Sequence, residues 1–87
     1  MENDLQRVEQ RRSPRRAALM QASIFHPLQT EHLNCTVRDI STTGAALDFP
    51  DLMRVPNEFT LILPEEGLKL LCHVVWRGGY RVGVAFD

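Results

Sequence analysis

The sequence predicts an all-β fold, a small antiparallel barrel of six strands, and three observations lead there. Apolar residues alternate with polar ones from residue 17 onward, short clusters of turn residues separate the alternating runs, and no helical period appears in that region. Many short strands joined by tight turns favour a closed barrel, because closure removes exposed strand edges and encloses a core.

The elements follow in order. "AALMQASIF" places Ala18, Met20, Ala22 and Ile24 on one side, and "LNCTVRDI" places Leu33, Cys35 and Val37 on one side before Asp39. "GAALDF" follows after a tight turn. Residues 51–58, "DLMRVPNE", contain Pro56 and Asn57 and read as a connecting loop. Phe59, Leu61 and Leu63 alternate in "FTLIL", "PEEG" turns, and Leu68, Leu70, Cys72, Val74 and Trp76 alternate in the return strand of a long hairpin. "RGG" turns again into "YRVGVAF", where Tyr80, Val82, Val84 and Phe86 share a side. This alternation assigns Trp76 to core packing and puts most of the six aromatic residues at inward positions. Residues 1–10 form a tail in which Leu5 and Val8 support at most a frayed helical turn, and residues 11–87 form the domain.

Composition narrows the function classes. At 87 residues the chain supports one domain, and 44% hydrophobic content with dispersed charge argues for a folded one. The apolar runs are far shorter than the ~20 residues of a membrane-spanning helix, and "MENDLQRVEQ" lacks the pattern of a secretory signal, so a cytoplasmic location is expected. Cys35 and Cys72 lie 37 positions apart without metal-binding spacing and read as reduced core thiols. His26, His32 and His73 form no metal set, with His26 in a loop before Pro27, and all three are expected at the surface. No nucleophile elbow or other activating context surrounds Ser13, Ser23 or Ser41, so neither an enzyme nor a cofactor is expected.

Charge is the most unequal feature. Arg7, Arg11, Arg12, Arg15 and Arg16 supply half of the ten basic side chains, whereas residues 17–87 carry five basic and eight acidic groups, a formal charge of −3. Every basic group in the cluster is arginine, whose planar fork bonds phosphate or a guanine edge in bidentate fashion and stacks on bases. Pro14 favours an extended backbone at Ser13, which spreads the arginines in different directions. A second feature is "DISTTGAAL", with Asp39, Ser41 and Gly44 between two strands. As a turn, aspartate and serine cap backbone donors while glycine provides positive φ or close approach. As a site, the carboxylate accepts hydrogen bonds from guanine N–H groups, the hydroxyl sits beside it, and glycine admits a flat base.

Together, Arg-x-x-x-Arg at Arg12 and Arg16, preceded by Arg11, and Asp-x-Ser-x-x-Gly at Asp39, Ser41 and Gly44 resemble the PilZ domain, a bacterial receptor for cyclic di-GMP. The closing "VVWRGGYRVGVAFD" looks like that family's last two strands, so the resemblance spans about residues 11–87. It implies a six-stranded antiparallel barrel with a flexible N-terminal arginine segment that wraps over the ligand. Arg12 and Arg16 would grip phosphates and guanines, Asp39 and Ser41 would meet a guanine edge, and Gly44 would shape the turn. Arg11 stands where arginine leans towards a stacked ligand pair, and Arg15 is out of step and expected to face solvent. The family usually continues into a C-terminal helix, apparently missing here because the sequence stops at Asp87. An uncovered, apolar barrel end is then expected to favour self-association or a protein partner.

Two other classes fit parts of the sequence: a degenerate module acting only through protein contacts, and a small barrel binding single-stranded nucleic acid. Complete motifs oppose the first. A pI near 6.3 and few aromatics oppose the second.

Overall fold

The computed structural model describes residues 16–87, with side chains from Leu19 onward. Six antiparallel strands form: β1 (Arg16–Phe25), β2 (Leu33–Ile40), β3 (Gly44–Asp48), β4 (Glu58–Leu63), β5 (Leu68–Gly78) and β6 (Arg81–Phe86). They close into a barrel in the order β1-β2-β3-β6-β5-β4, and β4 returns to β1 through the pairs Ser23 with Ile62, Ile24 with Leu61 and Phe25 with Thr60. The six-stranded antiparallel barrel expected from the alternation is the fold observed. No helix among the described residues is long and apolar enough to cross a membrane.

The inward positions of the strands fill the barrel. Ile24, Val37, Leu47, Leu61, Leu63, Cys72 and Val82 are essentially inaccessible to solvent, and Phe49 meets Phe59 edge-on with ring centroids 6.4 Å apart. Met20, Ala22 and Ile24 of β1 and Leu33, Cys35 and Val37 of β2 all face or pack against this core, as their alternation requires. Cys35 and Cys72 are free, buried thiols. Loss of solvation on burial pushes Cys35 up to about 12, with the neighbouring Cys72 adding to it. Burial likewise pushes Cys72 up to about 11, partly offset by a backbone hydrogen bond at Leu61. His32 and His73 are exposed as expected, and His26 is half-buried, its Nδ1 accepting from the Leu28 N–H at 3.0 Å.

Several expectations need correction. Trp76 is not in the core; it lies on the outer face, 48% exposed, because β5 carries one extra residue between Val74 and Trp76 that reverses the alternation. Tyr80 does not join the inward row of β6. It occupies the two-residue turn between Gly78 and Arg81, which pair, and is 73% exposed, while Gly79 supplies the φ of +61° that opens the turn. With Phe25 also exposed, three of the six aromatics face solvent. Residues 51–58 are not all loop: Asp51 Oδ1 accepts from the Met53 N–H at 3.0 Å and caps a single 3₁₀ turn, Leu52–Arg54, and Glu58 already belongs to β4. Arg77 ties this connection to β5, donating to the carbonyls of Leu52 (3.3 Å) and Val55 (2.9 Å) and to Asn57 Oδ1 (2.8 Å).

Two outcomes follow from the core. Leu61→Ala removes a fully buried side chain from the strand that closes the barrel and is expected to cost about 2–5 kcal/mol in a denaturant titration. The thiols bind protons more tightly when folded than when unfolded, so stability is complete below the ordinary thiol value of 9.0 and falls as pH rises from there through about 11 to 12. Melting temperatures measured across that window should decline, and a Cys35→Ala, Cys72→Ala double variant should show less of that decline.

Candidate functional site

Strand pairing sets Asp39 of β2, Ala46 of β3, Gly83 of β6 and Trp76 of β5 side by side in one row across four strands. Ala45, Leu47, Val82 and Val84 fill the interior, so their neighbours Ala46 and Gly83 lie on the outer face. The row forms a groove of about 500 Å³, lined by Asp39, Thr43, Gly44, Ala45 and Ala46 on one side and by Val75, Trp76, Gly83, Val84 and Ala85 on the other. Small residues make its floor. A carboxylate stands at one end and an indole at the other.

Both ends are placed by β-bulges. In β2 the inward series Leu33, Cys35, Val37 would continue to Asp39, which would bury a carboxylate in the barrel. An extra residue between Val37 and Asp39 shifts the register, Asp39 pairs with Ala46 on the outer face, and Ile40 packs against the core instead. The bulge at Val75 does the same for Trp76. The extra residues are themselves exposed: Val75 at 61%, and Arg38, whose guanidinium reaches the Asp48 carboxylate at 3.5 Å.

The connection from β2 to β3 is built by the motif's own residues. Ser41 Oγ accepts from the backbone N–H groups of Thr43 (3.2 Å) and Gly44 (3.3 Å), and the Ser41 N–H donates to the Gly44 carbonyl at 2.9 Å. Ser41 therefore shapes the turn and is not part of the groove lining. Gly44 is required by close approach: a methyl group there would overlap the carbonyl oxygen of Val84 on β6.

Beyond Trp76 lies a second concavity of about 340 Å³, bounded by Asp48, Trp76, Gly78, Tyr80 and Arg81. Arg81 donates to Asp48 through Nε (2.7 Å) and Nη2 (3.3 Å), a fork that raises the already high pKa of the guanidinium. With Arg38 on the same carboxylate, two cations share one anion on this side of the indole.

Of the site residues expected from sequence, Asp39 and Gly44 line one groove and Ser41 holds the turn beneath it. Arg11, Arg12 and Arg15 lie outside the described residues, as does the side chain of Arg16. The backbone of Arg16 opens β1 opposite Ile40, and its neighbour Ala17 pairs with Asp39, so β1 begins next to the groove. Trp76, Ala46 and Gly83 were not expected in the site. The signal in sequence is Gly83, a glycine inside a strand, which marks a close approach by another group. Among the described residues no group of three or more His, Cys, Asp or Glu is placed to hold a metal ion.

Gly44→Ala puts a methyl group against backbone that cannot swing aside, and it is expected to destabilise the protein by roughly 1–3 kcal/mol. A thermal melt superimposable on that of the wild type would show that β3 and β6 separate more easily than their spacing indicates.

No curated protein matches the chain. The sequence profile of the PilZ domain matches residues 9–87, which includes the whole barrel, both motifs and the groove. The chain belongs to the PilZ domain family, whose domains are modules that bind cyclic di-GMP.

Proposed function

We propose that this protein is a non-enzymatic receptor for cyclic di-GMP that signals to a protein partner. The observation that carries the reading is the outer groove, where Asp39 and Trp76 face each other across the small floor of Ala46 and Gly83 beside the start of β1 at Arg16. A guanine fits the chemistry of its two ends. The Asp39 carboxylate accepts from the guanine N1–H and amino group, and the exposed face of Trp76 stacks on a purine. Ser41 and Gly44 hold the turn in the shape that lets the base approach. Arg12 and Arg16, with Arg11, supply guanidinium forks for the two phosphates and the second guanine.

The signal follows from the charge arrangement. Residues 17–87 are mildly acidic and residues 11–16 strongly basic, and a compact dianion between them fixes the arginines against the barrel and neutralises them. The surface offered to a partner changes as a result. A receptor without catalytic chemistry transmits through such contact.

Isothermal titration calorimetry with cyclic di-GMP, using GTP and cyclic di-AMP as controls, tests the reading. Saturable binding of cyclic di-GMP alone is expected. Arg12→Ala, Arg16→Ala and Asp39→Ala should each weaken it by about ten- to a hundredfold, the cost of a lost charge-assisted hydrogen bond, with unchanged melting temperature for the two arginine variants. Equal affinity for cyclic di-AMP, or no binding by the folded protein, would overturn it.

A further inference from the structure

Gly83 is the one glycine of the described strands whose missing side chain is replaced by another side chain. A methyl group built on it would overlap Nε1, Cε2 and Cδ1 of Trp76, so the pyrrole ring of the indole occupies the space where residue 83 would project. Gly83 and Trp76 are direct cross-strand partners, and the bulge at Val75 brings the tryptophan to this face. The indole thus stands between two concavities, with the groove containing Asp39 on one side and the space bounded by Tyr80 and Arg81 on the other. Its orientation decides how much of each is open. Trp76 remains 48% exposed, and its ring rests on the floor at Gly83.

We propose that Gly83 is a positioning residue for ligand recognition: its bare backbone seats the Trp76 indole at the end of the groove, and any side chain at position 83 lifts the ring into the space the base occupies. The inference rests on the nucleotide-binding reading above for the ligand, while the seating itself is a property of the free protein. Alanine is the sharpest probe, because it adds one methyl group and is otherwise at least as favourable as glycine in a strand.

The test combines Gly83→Ala, Trp76→Ala and the double variant. Tryptophan emission and near-ultraviolet circular dichroism of the free protein report the indole directly, as Trp76 is the only tryptophan. In Gly83→Ala both signals should change, with far-ultraviolet circular dichroism preserved, and affinity for cyclic di-GMP should fall roughly tenfold, the order expected for loss of an aromatic platform. In the Trp76→Ala background the same glycine substitution should cost nothing further, since position 83 acts through the ring. Should Gly83→Ala fail to fold, the double variant should fold again, because the overlap is gone. Unchanged tryptophan signals in Gly83→Ala, an additive loss in the double variant, or a double variant that also fails to fold would each overturn the proposal. If folded wild-type protein does not bind cyclic di-GMP, the receptor reading falls and the ligand-positioning role with it, whereas the free-protein spectra still decide whether Gly83 seats the indole.

Discussion

The site depends on one constraint, the two-residue period of a β-strand, and on two of the places where it is broken. In a closed barrel every second side chain must enter the core, and a carboxylate or an indole in phase with that series would be drawn inside. One extra residue in β2 and one in β5 reverse the phase at Asp39 and Trp76. Ile40 packs against the core after the first bulge, and after the second Arg77 donates to the carbonyls of Leu52 and Val55. A groove with a carboxylate and an indole at its ends is thereby set on the outside of the barrel.

Small residues complete that surface. Gly44, Ala46 and Gly83 lie on the outer face of β3 and β6 between the two bulged strands, where larger side chains would fill the groove. The backbone approach at Gly44 and the indole contact at Gly83 require glycine for different reasons, one to let two strands meet and the other to seat a ring. Electrostatics divides the surface as well. Asp39 marks one end of the groove, while beyond the indole Arg38 and Arg81 converge on Asp48.

Much of this was legible in the sequence. Alternation in "AALMQASIF", "LNCTVRDI" and "FTLIL" located strands and their inner faces, because burial selects on side-chain period directly. The motif from Asp39 to Gly44 located the turn and one side of the groove. What alternation cannot reveal is a phase error: "LKLLCHVVW" reads as one series ending in Trp76, and an added residue leaves composition and spacing plausible. Tyr80 leaves the alternating series for a related reason, since the Gly79 turn extends one residue further than "RGG" indicates and takes the tyrosine with it. The doubled valine before Trp76 and the lone glycine in "YRVGVAF" are the two traces of the bulge and its partner in the sequence.

We propose that cyclic di-GMP occupies the outer groove between Asp39 and Trp76. The most direct measurement is a two-dimensional ¹⁵N–¹H spectrum recorded through a titration with the nucleotide. The Trp76 indole N–H and the amides of Asp39, Gly44, Ala46 and Gly83 are expected to shift together and saturate, while those of Phe25, Thr60 and Leu71, which share a row on β1, β4 and β5, stay in place. Saturating shifts centred on that second row, with the groove amides unmoved, would contradict it.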